Sequence, residues 1–154
     1  MHIVKARKEH LEDLSKLFDQ YRMFYGQNSN LKAGRQFLSD RLVLGQSVIF
    51  MAVSGKKAVG FTQLYPSFSS VSMKPLYILN DLFVVADYRH QGIGKKLLLQ
   101  AQAFCREMNA KGLALETATD NPAQQLYESL GWKRDSHFLH YFWTADPHGG
   151  ENSK

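Results

Sequence analysis

Residues 76–85 form the most apolar segment of the chain, with the sequence Leu-Tyr-Ile-Leu-Asn-Asp-Leu-Phe-Val-Val. A strand of this composition is typical of the centre of a sheet that is covered on both faces. A short segment containing Gly92 and Gly94 follows it. Next comes a helical pattern, whose apolar stripe consists of Ile93, Leu97, Leu98, Ala101, Cys105 and Met108. A strand, a glycine loop and an amphipathic helix in this order predict an α/β arrangement.

The other elements are predicted from apolar periodicity and from turn residues. We predict strands over residues 3–7, 48–54, 58–65, 76–85, 113–118 and 137–144, helices over residues 11–25, 31–44, 93–108 and 122–130, and a serine-rich polar loop over residues 66–75. The element order is βααββ-βαβαβ, which describes a mixed α/β domain with a central sheet flanked by helices. A length of 154 residues indicates one domain, which we place at residues 1–144, followed by a polar tail at 145–154.

Composition narrows the class of protein. A net charge of +5, from 19 basic and 14 acidic residues, suggests an anionic partner. The basic residues are scattered, which argues against a nucleic-acid-binding domain. One cysteine, Cys105, excludes an intrachain disulfide and a multi-thiolate metal site. Because no segment has the roughly 20 apolar residues that span a bilayer, and residues 1–8 do not read as a signal peptide, we expect a soluble cytoplasmic protein without membrane contact.

The glycine loop carries the clearest chemical signal. Two glycines at a helix start allow a ligand to approach the backbone, and the N–H groups of the first turn favour a phosphate. Arg89, Lys95 and Lys96 add positive charge beside it. By themselves the glycines could form only a tight turn. The nucleotide-binding Walker A pattern fails at Arg89, and the dinucleotide-binding pattern fails at Leu97.

Two motifs in order carry a family resemblance. Arg89-x-x-Gly92-x-Gly94 follows an apolar strand, and Asn121 begins a downstream segment that contains Leu126-Tyr127 and ends at Gly131-Trp132. Together they resemble the GNAT superfamily of acyl-CoA-dependent N-acyltransferases. Residues 77–89 are similar to the spermidine/spermine (diamine) acetyltransferase branch, although Asn80 stands where that branch commonly has an acidic residue.

The resemblance implies acetyl-CoA as the acyl donor and direct attack by a primary amine. Its implied cofactor-binding residues are Leu82, Phe83, Val84, Arg89, His90, Gln91, Gly92, Ile93, Gly94, Lys95 and Asn121, and no metal is implied. Backbone groups at the end of the apolar strand would polarise the thioester carbonyl. Asp81 is the first candidate for the general base and Glu116 the second, although both could be structural carboxylates. Tyr127 matches the family's general acid, although it could instead be a packing aromatic residue.

The acceptor amine is left open by the sequence. Family members contact it mainly through the segment corresponding here to residues 21–35, which contains aromatic residues and no carboxylate. A small-molecule amine and a protein lysine both fit. The alternative function is a catalytically silent acyl-CoA sensor. The resemblance is compatible with a homodimer, for which the aromatic residues 138–143 offer a surface.

Overall fold

The computed structural model describes residues 1–146. In this part of the chain the strands are β1 (His2–Lys5), β2 (Val48–Ser54), β3 (Lys57–Ser69), β4 (Lys74–Val84) and β5 (Leu113–Ala114), and the α-helices are α1 (Leu11–Phe24), α2 (Leu31–Val43), α3 (Ile93–Glu107) and α4 (Gln124–Ser129). The sheet order is β1-β2-β3-β4-β5, with β1 to β4 antiparallel and β5 parallel to β4. A mixed sheet with helices confirms the predicted mixed α/β class.

The chain divides into two compact units, Met1–Thr117 and Ala118–Lys154. The first contains the whole sheet and the first three helices, and the second contains α4. The single domain over residues 1–144 stays a prediction. Most of the tail predicted at residues 145–154 lies outside the described residues.

Each face of the sheet has its own helical layer. Apolar positions of α1 and Leu38 of α2 pack on one face against Ile49, Met51, Phe61 and Phe83. Phe50 points the other way, since strand side chains alternate, and its ring lies 5.6 Å from that of Phe104 in α3. The two helical layers therefore bury both faces of the central strands.

The serine-rich segment 66–75, predicted to be a loop, is mostly strand. β3 continues to Ser69 and β4 begins at Lys74, with Phe68 opposite Pro75 in the ladder. Pro66 lies within this ladder opposite Tyr77. Strand pairing with a long neighbour overrides the low strand propensity of serine and proline.

Three predictions near the carboxyl end of the described chain are wrong in extent or in kind. The strand predicted at residues 113–118 covers only Leu113–Ala114, and the helix predicted at 122–130 covers Gln124–Ser129. The strand predicted at 137–144 does not form in the described chain. Its large side chains are strongly exposed, from Phe142 at 74% to Tyr141 at 84%. Aromatic composition favours a strand only where a neighbouring strand completes the ladder. The homodimer stays a prediction.

Gly60 allows β3 and β4 to come unusually close together. It lies opposite Val84, and a Cβ atom at this position would lie 2.8 Å from the carbonyl oxygen of Phe83. That separation is too short for a carbon and a backbone oxygen in van der Waals contact. Any larger residue must therefore displace β4.

We expect Gly60→Ala to lower the free energy of unfolding by about 1–3 kcal/mol, because the added methyl group overpacks a buried ladder. Urea unfolding followed by circular dichroism measures this change. Gly112→Ala is the matched control, since no atom lies within 4 Å of a Cβ built there and its φ is not positive. Equal stability of the two variants would contradict the steric account.

Candidate active site

A β-bulge in β4 reverses the faces of this strand. Gln63 of β3 is in register with Asp81, but Leu64 is in register with Leu79, so Asn80 is the inserted residue. Before the bulge, Tyr77 packs against Phe104 of α3, with 5.1 Å between ring centroids. After it, Phe83 joins the core under α1. The bulge therefore turns Asp81 and Phe83 toward the α1 face.

Asp81 is a buried carboxylate at the start of this segment, with 2% of its surface exposed. Asn80 Nδ2 donates a hydrogen bond to its Oδ1 at 3.0 Å, and Gln63 Nε2 donates to its Oδ2. Burial raises the pKa of Asp81 to about 6, and the two amide hydrogen bonds oppose that increase. The side chain is therefore mostly ionised at neutral pH and can accept a proton at slightly lower pH.

Other polar groups near Asp81 were not identified from the sequence. Ser47 Oγ donates to Gln63 Oε1 at 2.7 Å. Burial, followed by the negative charge of Asp81, raises the pKa of both Tyr25 and Tyr65. The sequence contained one signal for these groups, the polar pair Thr62-Gln63. This pair interrupts the apolar pattern of a strand that otherwise has the composition of a core strand.

Within the described residues, the edge of β4 that faces β5 is paired with another strand only in its first half. β5 pairs with β4 only at Tyr77 and Ile78, so no strand of residues 1–146 lies beside Leu82–Val84 on that side. Arg89 Nε donates to the carbonyl oxygen of Val84 at 2.9 Å. The guanidinium of Arg89 also lies 5.2 Å from the ring centroid of Phe24 and 5.7 Å from that of Phe83.

The glycine loop forms a concave backbone segment before α3. His90 and Gly92 both have left-handed backbone conformations, with φ of +59° and +78°. Because the N–H of Lys96 makes the first helical bond, to the carbonyl of Gly92, the N–H groups of Ile93, Gly94 and Lys95 precede the helical ladder. Arg89, His90, Gln91 and Lys95 are exposed around it. This arrangement can hold an anion.

The second unit contains the remaining predicted residues. Tyr127 in α4 is half-buried, and its ring centroid lies 6.0 Å from that of Trp132. Asn121 Oδ1 accepts a hydrogen bond from the N–H of Ala123 at 2.9 Å, which organises the turn before α4. Glu116, the second candidate base, is exposed beyond the end of β5 in the first unit.

Two observations bear on other chemistry. Cys105 is buried on α3, and burial raises the pKa of its thiol, which makes it a poor nucleophile. Within residues 1–146 no group of three or more His, Cys, Asp or Glu side chains could hold a metal ion. None of the helices in this part of the chain combines the length and the hydropathy of a transmembrane helix.

Comparison with known proteins identifies the family. Residues 9–132 match the profile of the Acetyltransferase (GNAT) family. The protein named "Uncharacterized N-acetyltransferase YhfO" of Bacillus subtilis (strain 168) is 46% identical over 142 residues, covering 92% of this chain and 95% of that protein. A crystal structure of a probable acetyltransferase is 42% identical, with a TM-score of 0.90 and coverage of 95% of this chain and 99% of that chain.

A more distant structure shares the fold. It is AAC(6')-Iy in complex with the bisubstrate analogue CoA-S-monomethyl-acetylneamine, with a TM-score of 0.76, 21% identity, and coverage of 93% of this chain and 97% of that chain. The profile spans most of the present chain, and a relative of nearly equal length carries the name of an N-acetyltransferase. The chain therefore belongs to the GNAT family and is an N-acetyltransferase.

Proposed function

We propose that this protein transfers an acetyl group from acetyl-CoA to a primary amine without forming an acyl-enzyme. The observation that carries the proposal is the order of groups along one segment: a buried carboxylate at Asp81, a strand edge at 82–84 that β5 does not pair with, and a glycine loop with left-handed residues at 89–95. The amine nitrogen forms the new bond to the acetyl carbon, the carbon–sulfur bond breaks, and the thiolate leaves with the electron pair.

The glycine loop binds the pyrophosphate of acetyl-CoA in this proposal. The N–H groups from His90 to Lys95 line the concave backbone, and the positive end of the α3 dipole lies behind them. Arg89 and Lys95 add charge at the rim, which accounts for part of the net charge of +5. Asn121 is a further proposed contact to acetyl-CoA, as the family resemblance implies.

The open edge of β4 holds the arm that carries the thioester. Backbone groups of Leu82, Phe83 and Val84 hydrogen-bond this arm and polarise the thioester carbonyl. Such donors are effective because folding has already oriented them. The hydrogen bond from Arg89 to the Val84 carbonyl joins this edge to the phosphate loop.

Asp81 is the proposed general base. An alkyl amine with a pKa near 10 is mostly protonated at neutral pH, so one proton must be removed before attack. A carboxylate whose pKa is raised to about 6 by burial accepts that proton better than an ordinary carboxylate would. Glu116 is less suited, since it is exposed beyond β5.

Tyr127 is the proposed general acid, which donates a proton to the departing thiolate. A phenol with a pKa near 10 protonates a thiolate with a pKa near 8.5 slightly uphill. Its contribution is therefore a hydrogen bond to the sulfur that becomes a proton transfer late in the reaction.

The proposed acceptor is a primary amine on a small molecule or on a protein lysine. Tyr21, Phe24 and Tyr25 cluster at the end of α1, where the ring centroid of Tyr25 lies 5.0 Å from that of Tyr21 and 5.3 Å from that of Phe24. Aromatic rings bind single ammonium groups by cation–π attraction. Together with Asn80 in place of an acidic residue, they favour a singly charged amine over a polyamine. The likeness to the diamine branch stays a prediction.

Release of free thiol from acetyl-CoA tests the proposed function. We expect at least one primary amine in a panel of aryl-alkyl amines, amino acids, polyamines, aminoglycosides and lysine peptides to accelerate release between about pH 7 and 9. Mass spectrometry should show the acetylated amine. If acetyl-CoA binds but no amine accelerates thiol release, the result would instead support the alternative function, a catalytically silent acyl-CoA sensor.

We expect Tyr127→Phe to lower kcat by about 10²-fold with little change in KM for acetyl-CoA, because the phenol acts only as the thiolate develops. Steady-state kinetics at saturating amine measures both constants. Tyr141→Phe is the matched control, since Tyr141 is 84% exposed in the same unit. An unchanged kcat in Tyr127→Phe would exclude the acid role.

We expect Gly92→Asp to raise the Kd for acetyl-CoA by about tenfold or more, because a carboxylate at the helix start repels the pyrophosphate. Isothermal titration calorimetry measures this affinity. Gly55→Asp is the control, because Gly55 also has a positive φ and open space around a Cβ, so backbone strain is matched. If both variants bind acetyl-CoA as the parent does, the phosphates bind elsewhere.

A further inference from the structure

A buried chain of polar side chains crosses the α1 face of the sheet beside the aromatic core. It runs from Ser47, the residue before β2, through Gln63 of β3, to Asp81 of β4. All three side chains are buried, and Gln63 has no exposed surface. Buried polar groups destabilise a core unless hydrogen bonds satisfy them, and apolar side chains would pack as well at these positions. We therefore expect this row of polar side chains to have a functional role.

We propose that Gln63, oriented by Ser47, is a positioning residue that holds the Asp81 carboxylate in one orientation and favours its ionised form. The inference rests on the proposed function, in which Asp81 receives the proton of the acceptor amine.

The direction of the hydrogen bonds follows from the carboxylate. An ionised carboxylate only accepts hydrogen bonds, so Gln63 must present its NH₂ group to Asp81 and its carbonyl oxygen to the other side. Ser47 Oγ lies 2.7 Å from that carbonyl oxygen and donates to it. The hydroxyl therefore opposes a flip of the amide, which would bring an oxygen against the carboxylate.

The chain matters because both donors that lower the pKa of Asp81 are neutral amides, Gln63 and Asn80. A cation bound directly to a carboxylate favours the charged form strongly and makes it a weak base. Neutral amides orient a buried carboxylate and favour its ionised form without adding a positive charge beside it. This balance is what a proton acceptor for an amine requires.

The other titratable groups that face this site ionise in a different pH range from Asp81. Tyr25 of α1 and Tyr65 of β3 both feel its charge, and the pKa of each is raised above the ordinary value of 10.0. The positive charge of Arg41 of α2 lowers the pKa of Tyr65 and so opposes part of that increase. A titration between pH 5 and 8 that follows the Asp81 carboxyl is therefore not mixed with these groups.

The experiment compares four variants of the full chain by two measurements. Carbon-13 NMR of labelled aspartate follows the ionisation of Asp81, and the pH profile of kcat/KM follows catalysis. Gln63→Leu removes the donor, Ser47→Ala removes the anchor of the amide, and Ser47→Thr restores a hydroxyl. Thr62→Val is the matched control, because Thr62 Oγ1 donates to the backbone carbonyl of Asp81 and not to its carboxylate.

In Gln63→Leu we expect the NMR midpoint of Asp81 to move to higher pH. The ratio of kcat/KM at pH 6 to that at pH 8.5 should fall about tenfold relative to the parent. Ser47→Ala should show a smaller change in the same direction, and Ser47→Thr should recover the parent profile. Thr62→Val should lose stability without moving the midpoint, because it leaves the carboxylate hydrogen bonds in place.

The two measurements separate the inference from the function on which it rests. An Asp81 midpoint that stays in place in Gln63→Leu, or that moves equally in Thr62→Val, overturns the positioning role. If Gln63→Leu does not fold, an unmoved midpoint in Ser47→Ala has the same meaning. If the NMR midpoint of Asp81 moves but the pH profile of kcat/KM does not, that result would falsify the assignment of Asp81 as the base. The positioning of Asp81 by Gln63 would still stand.

Discussion

The inserted residue in β4 is the constraint on which the proposed chemistry depends. Side chains of a regular strand alternate, so a strand with Tyr77 on the α3 face would also direct Asp81 and Phe83 to that face. The bulge at Asn80 shifts the alternation by one residue. Asp81 then reaches Gln63, and Phe83 joins the core under α1. One extra residue thus serves both the core and the carboxylate.

Burial and hydrogen bonding act on Asp81 in opposite directions. Desolvation disfavours the charged form, while the amides of Gln63 and Asn80 favour it, and the result is a pKa of about 6. Without the amides the pKa of the buried carboxyl would rise further, and a smaller fraction of it would be ionised at neutral pH. With a bound cation in their place it would be a weaker base. The pKa therefore depends on the balance between burial, which is the larger effect, and the neutral donors that oppose it.

The sequence predicted what depends on local order along the chain. The predicted boundaries of the apolar strand, the glycine loop and α3 agree closely with the structure, because Gly92 and the apolar stripe from Ile93 onward are local signals. It did not predict the bulge or the Ser47–Gln63 contact, because these depend on the register between strands far apart in the chain. The sequence also predicted a strand at the aromatic residues 137–144, which does not form in the described chain. Strand propensity does not reveal whether a neighbouring strand is present.

The order of functional groups along the chain explains how so small a segment can serve several steps. From Asp81 to Lys95 the chain passes from a buried carboxylate, along an open strand edge, to a loop with exposed N–H groups. Most of these groups are backbone atoms whose positions are determined by the ladder with β3 and by the start of α3. Substitutions of exposed side chains other than the charged Arg89 and Lys95 should therefore leave the proposed acetyl-CoA site largely intact. The exposed Phe24 and Tyr25 lie outside this segment. In the proposed function, changes there would alter the acceptor specificity and leave the proposed transfer groups in place.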